Sequence, residues 1–193
     1  IWLHGLGASG DDLAPLGEQL KQFLRLPARY IFPNAPMRAV TLNGGVVMPA
    51  WYDIVSLDPA KPQDEAGINA SCDALIRLIE QEIARGIKSE RIIIAGFSQG
   101  GAIALHTGLH YKQTLAGMMG LSTYLPLHEQ FGTRNEKANH NTPIFMAHGS
   151  VDDVLPMQFG LMSKTVLEAH HYPIEWHTYN MAHAICPEEI MHI

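Results

Sequence analysis

The sequence predicts an α/β protein built as a doubly wound, mostly parallel sheet with helices on both faces. Three observations carry that prediction. Short, near-continuous apolar runs recur at Arg91–Ala95, Leu115–Leu121, Ile144–Ala147 and Ile174–Tyr179, the pattern of strands buried on both sides. Most of these runs alternate with segments of helical periodicity, which directs the strands into parallel pairing through crossovers. Finally, Ile92-Ile93-Ile94-Ala95 runs straight into Gly96-Phe97-Ser98-Gln99-Gly100 and then into a helix-forming stretch. A serine on such a sharp strand-to-helix turn needs side-chain-free neighbours two places away on either side, and Gly96 and Gly100 supply them.

Taken in order, Ile1–His4 reads as a strand and Gly5–Gly10 as a glycine-rich loop before an amphipathic helix from about Leu13 to Leu24, capped by Asp11 or Asp12. Arg29–Phe32 reads as a short strand. Pro33-Asn34-Ala35-Pro36 and Asn43-Gly44-Gly45 then predict an irregular stretch to about Asp53, of the length that carries function. Ile68, Leu75, Ile76, Ile79 and Ile83 recur at helical spacing between about Gln63 and Arg85, with Gly86 as the stop. After the elbow come a helix through Leu109 and two strand runs, then a helix from about Met157 to His170, the Ile174–Tyr179 strand and a closing helix. The 193 residues fit one domain, and a chain of that size buries roughly 70% of its unfolded surface without a staple. Ile1–His4 reads as the tail of a strand and Pro187–Ile193 as a helix cut short, so strands before and a helix end after are expected.

Composition excludes several classes. A formal charge of −6 without a Lys/Arg stripe argues against nucleic acid and anionic membrane as partners. No apolar run approaches the roughly 18 residues of a membrane span. Cys72 and Cys186 are too few for a disulfide framework, so free thiols and a reducing, cytoplasmic setting are expected. His106 and His110 share a helix face, but no third metal ligand accompanies them, and no metal is expected.

A serine hydroxyl is a poor nucleophile until a base takes its proton, and in a doubly wound sheet active groups sit beyond the carboxyl ends of strands. His183 follows the Ile174–Tyr179 strand and is the expected base. Its orienting acid is Asp152 or Asp153, in the turn after the Ile144–Ala147 strand; adjacency leaves the two undecided. Two backbone donors are needed for the oxyanion. One is the residue after the nucleophile, Gln99; the other is Leu6, in a loop whose glycines let backbone approach substrate.

Several motifs in order resemble the carboxylesterase and acyl-protein thioesterase family, also called the phospholipase/carboxylesterase family of α/β hydrolases. They are His4-Gly5-Leu6-Gly7, Pro33-Asn34-Ala35-Pro36, Met48-Pro49-Ala50-Trp51-Tyr52-Asp53, Gly96-Phe97-Ser98-Gln99-Gly100-Gly101, Leu121-Ser122-Thr123-Tyr124-Leu125-Pro126, and Met181-Ala182-His183-Ala184-Ile185-Cys186-Pro187-Glu188-Glu189. The resemblance implies an α/β-hydrolase fold with Ser98 as nucleophile, Asp152 as acid, His183 as base, and Leu6 and Gln99 as oxyanion donors. It also implies hydrolysis of acyl esters or thioesters of lysophospholipids, S-acylated proteins or small molecules, without metal or organic cofactor. Met48, Trp51, Leu121 and Leu125 are the expected walls of an acyl groove. The alternatives are a peptidase or lactone hydrolase on the same scaffold, or a non-catalytic binding protein that keeps the fold. Oligomeric state is open, with a homodimer among the options.

Overall fold

The computed structural model describes residues 1–24, 27–58, 61–130 and 137–193. Five parallel strands form the main sheet: β1 (Trp2–Leu3), β4 (Ile93–Phe97), β5 (Gly117–Leu121), β6 (Ile144–Gly149) and β7 (Ile174–Tyr179), adjacent in that order. The helices are α1 (Gly10–Phe23), α2 (Glu65–Ala84), α3 (Gln99–His110), α4 (Met157–Ala169) and α5 (Pro187–His192). β2 (Met37–Val40) and β3 (Val46–Pro49) make a separate antiparallel hairpin.

Strand alternation divides the core. Leu3, Ile94, Met118, Ile144 and Met146 pack with Ile68 and Ile79 of α2, Ile103 and Leu105 of α3 and Leu167 of α4. Trp2, Ala95, Leu121, Phe145, Ala147 and Tyr179 pack with Leu13, Leu16 and Leu20 of α1 and Ile190 of α5. Because successive strand residues point to opposite faces, runs apolar at every position are what a sheet covered on both sides requires. The parallel sheet sends the ends of β1, β4, β6 and β7 to one edge, where the loops holding Leu6, Ser98, Asp152 and His183 emerge.

The structure departs from the sequence reading in three places. Arg29–Phe32 belongs to no ladder; its tie to the sheet is the Trp2 N–H donating to the Ile31 carbonyl at 2.8 Å. The stretch expected to be irregular contains the β2–β3 hairpin, in register from Met37 opposite Pro49 to Val40 opposite Val46. Its connection uses Gly44 and Gly45 at φ 67° and 80°, the left-handed region where glycine carries no steric cost. And α1 is started by Ser9 rather than by an aspartate: the Asp12 carboxylate reaches back to accept from the Ser9 N–H at 2.7 Å and hydroxyl at 2.9 Å.

Candidate active site

Ser98 stands between β4 and α3 with φ 53° and ψ −122°, a backbone conformation a non-glycine residue adopts only when its surroundings impose it. Those surroundings are crowded. A Cβ on Gly96 would lie 2.3 Å from the Gly100 backbone, and one on Gly100 would lie 2.3 Å from the Leu3 carbonyl oxygen. The turn is further fixed by the Ser98 N–H donating to the Leu121 carbonyl at 2.8 Å and by the Thr123 hydroxyl donating to the Ser98 carbonyl at 2.6 Å.

His183 lies in the loop after β7. Ser150 N–H donates to the Tyr179 carbonyl at 2.8 Å, and a Cβ on Gly149 would strike the Met181 carbonyl at 2.3 Å, so the loops after β6 and β7 are in backbone contact. That contact brings His183 Nδ1 to 2.6 Å from Asp152 Oδ2. Asp152 is buried, and its other oxygen accepts the N–H groups of Val154 at 3.0 Å and Leu155 at 2.8 Å. With Nδ1 donating to the carboxylate, Nε2 is left as the acceptor edge of the imidazole. The Phe97 ring, 4.7 Å away between centroids, packs against that imidazole. Of the two adjacent aspartates, Asp152 is therefore the one that meets His183; Asp153 is exposed.

His148 supports the acid from behind. It is fully buried, and its Nε2 lies 2.8 Å from the Leu155 carbonyl and 3.4 Å from Asp152 Oδ2. Burial holds its pKa below the ordinary value, so the ring is neutral and Nε2 carries the hydrogen. Its Nδ1 is packed against Gly160 without a hydrogen-bond partner among the described residues.

The opposite wall is organised by His4. Its Nε2 accepts the Ala35 N–H at 3.0 Å, which places the proton on Nδ1, 2.7 Å from the Gly5 carbonyl. Gly7, at φ 75°, donates its N–H to the Pro49 carbonyl at 2.8 Å and fastens the loop to the hairpin. Gln99 opens α3, so its N–H has no acceptor one turn earlier; among the described residues Leu6 N–H has no acceptor either. Both residues line the same cleft as Ser98 and His183.

That cleft has a volume of about 540 Å³ and mostly apolar walls, among them Leu13, Leu42, Ile54, Leu57, Leu155 and Ile185. The four residues expected to form the groove do not line it. Leu121 is fully buried beneath the elbow, and Leu125 is buried with its N–H on the Ser163 hydroxyl at 2.7 Å. Trp51 is buried too: its N–H donates to Gln99 Oε1 at 2.8 Å and its indole N–H to the His4 carbonyl at 2.8 Å. Met48 lies outside the cleft walls, with its sulfur 3.4 Å from Asn43 Nδ2. In their place Tyr52 and Tyr124 face the cleft, hydroxyl to hydroxyl at 2.7 Å.

A parallel sheet covered on both faces, with a strained serine after one strand and an Asp–His pair on loops after two others, defines the α/β-hydrolase class. The profile of the phospholipase/carboxylesterase family matches residues 1–193, and the chain belongs to that family of carboxylic-ester hydrolases. Acyl-protein thioesterase 1 of Neurospora crassa is 42% identical over 98% of this chain and 81% of its own length. The protein of the same name from Yarrowia lipolytica is 39% identical over 100% and 87%. Among solved structures, Arabidopsis thaliana SOBER1 superposes with a TM-score of 0.93 at 32% identity, covering 99% of this chain and 92% of that one. Zea mays acyl-protein thioesterase 2 gives 0.83 at 29% identity, covering 98% and 87%.

Proposed function

We propose that the protein hydrolyses acyl thioesters and esters through an acyl-enzyme on Ser98. The observation that carries this reading is the 2.6 Å contact between His183 and buried Asp152 in the cleft that Ser98 faces. His183 Nε2 takes the Ser98 proton as Oγ attacks the acyl carbon, and Asp152 stabilises the imidazolium. The tetrahedral oxyanion rests on the N–H groups of Leu6 and Gln99 until it collapses. The carbon–sulfur or carbon–oxygen bond then breaks, and the departing thiolate or alkoxide takes the proton from His183. Water, deprotonated by the same imidazole, attacks the acyl-enzyme and releases the carboxylic acid and Ser98.

The apolar cleft favours the acyl chain as the recognised part, and the relatives named acyl-protein thioesterase favour S-acylated proteins as substrates over lysophospholipids or small esters. Cys72 and Cys186 form no disulfide, which suits a cytoplasmic setting. Ser98→Ala tests the reading: hydrolysis of a p-nitrophenyl ester should fall by about 10⁴-fold or more with the fold intact. Retained turnover would assign the nucleophile elsewhere.

A further inference from the structure

Beside the catalytic cleft lies a second, smaller chamber of about 40 Å³. The two share three wall residues, Leu57, Tyr124 and Leu155; the rest of the second is apolar at Leu125, Phe159 and the half-exposed Met162 and polar at Ser56, Asp58, Gln63, His128 and Ser163. Tyr124 is the aromatic one of the three shared walls. It is held from three directions. Its hydroxyl is paired with that of Tyr52 at 2.7 Å, and Tyr52 is itself fixed by its carbonyl accepting from Gln99 Nε2 at 2.7 Å. On one flank Thr123 is bonded to the Ser98 carbonyl, and on the other Leu125 is bonded to Ser163. A phenol buried among apolar groups is costly without a partner, so the hydroxyl pair favours one ring position over others.

We propose that Tyr124, pinned by Tyr52, is the specificity-determining stop that limits how long an acyl chain the cleft accepts. The inference rests on the acyl-transfer reading of Ser98. Each methylene buried in the cleft adds about 0.8 kcal/mol of binding, roughly a fourfold gain in kcat/KM. That gain ends where the chain meets the ring, because further methylenes find no apolar space.

The test is the kcat/KM profile on p-nitrophenyl esters from acetyl to palmitoyl. In the unaltered protein the profile climbs and then breaks. In Tyr124→Ala the break, read from each ester's kcat/KM relative to that variant's own acetyl ester, moves to longer chains, because the two chambers become one. Adding Met162→Trp to that variant refills the second chamber and returns the break to shorter chains. Tyr52→Phe keeps the ring but loses the bond, and shifts the break partway. An unchanged break in the Tyr124→Ala profile, normalised to that variant's own acetyl ester, overturns the proposal. Should that variant not fold, Tyr124→Leu is read by the same criteria. Failure of the unaltered protein to hydrolyse even the acetyl ester would instead overturn the acyl-transfer reading.

Discussion

The two sides of the cleft are built by different means. On the chemical side, Ser98, Asp152 and His183 sit within a few residues of the ends of β4, β6 and β7, the last two on loops whose backbones touch. The parallel sheet sets their spacing, and glycines at Gly96, Gly100 and Gly149 let the turns close. On the substrate side, the walls come from the segment between Leu42 and Leu57, from Tyr124 and from Leu155, joined by side-chain bonds spanning tens of residues: Gln99 to Trp51 and Tyr52, Tyr52 to Tyr124, Ser71 to the Trp51 carbonyl. Leu42 and Leu57 are 45% and 37% exposed, whereas the elbow rests on fully buried neighbours such as Leu121. The chemistry is therefore held by backbone geometry and the specificity by long-range side-chain packing, so the two should respond separately to mutation.

The largest expected effect tests the chemical side. Asp152→Asn should lower kcat by about 10⁴-fold on every substrate, because an amide in place of the carboxylate favours the wrong imidazole tautomer. A loss confined to long-chain substrates would break the division, since it would make Asp152 part of substrate recognition. Gln99→Ala probes the joint between the sides. It keeps the backbone N–H but leaves the Trp51 N–H and Tyr52 carbonyl without partners, at a cost of about 1–3 kcal/mol for each buried group. Thermal unfolding should show a fall of several degrees, together with a larger rise in KM for long-chain than for acetyl esters. Equal effects on both would mean that the Trp51–Tyr52 segment does not act through the acyl chain.

The smallest effect on turnover is expected at Glu189, in α5 just after the His183 loop. Both its carboxyl oxygens are buried without a well-formed hydrogen bond among the described residues, and burial pushes its pKa up from 4.5 to about 7, only partly offset by the Cys186 N–H. The unfolded chain releases this proton near pH 4.5 while the folded protein keeps it until about pH 7. Stability is thus fully present below pH 4.5 and falls as pH rises through that window. Glu189→Gln should raise the melting temperature at pH 8, leave it unchanged at pH 4, and leave kcat unaltered. A change in kcat would tie α5 to the position of His183.

This division also explains what was legible in the sequence. The strands, the elbow, and the placing of Leu6, Gln99 and His183 at strand ends follow from local patterns, because an apolar run, a Gly-x-Ser-x-Gly turn and a loop histidine each state their geometry within a few residues. Choosing between Asp152 and Asp153 required a resemblance, since adjacent carboxylates have the same local chemistry. The groove residues were not legible. Leu121 ends β5, where successive side chains alternate between the two faces and this one points into the core, and Trp51 is drawn into the core by its bonds to Gln99 and His4. The β2–β3 hairpin was masked for a related reason: Val46 and Val47 are 56% and 58% exposed, so the strands lack the inside-outside alternation that marks a half-buried sheet.

The central claim is that Ser98 is an activated nucleophile, and a fluorophosphonate probe tests it most directly, because such probes phosphonylate serines made reactive by a neighbouring base. Peptide mass spectrometry after labelling should place a single adduct on Ser98, with the adduct lost in His183→Ala while that variant still folds. An unlabelled Ser98, or labelling that persists without His183, would contradict the account.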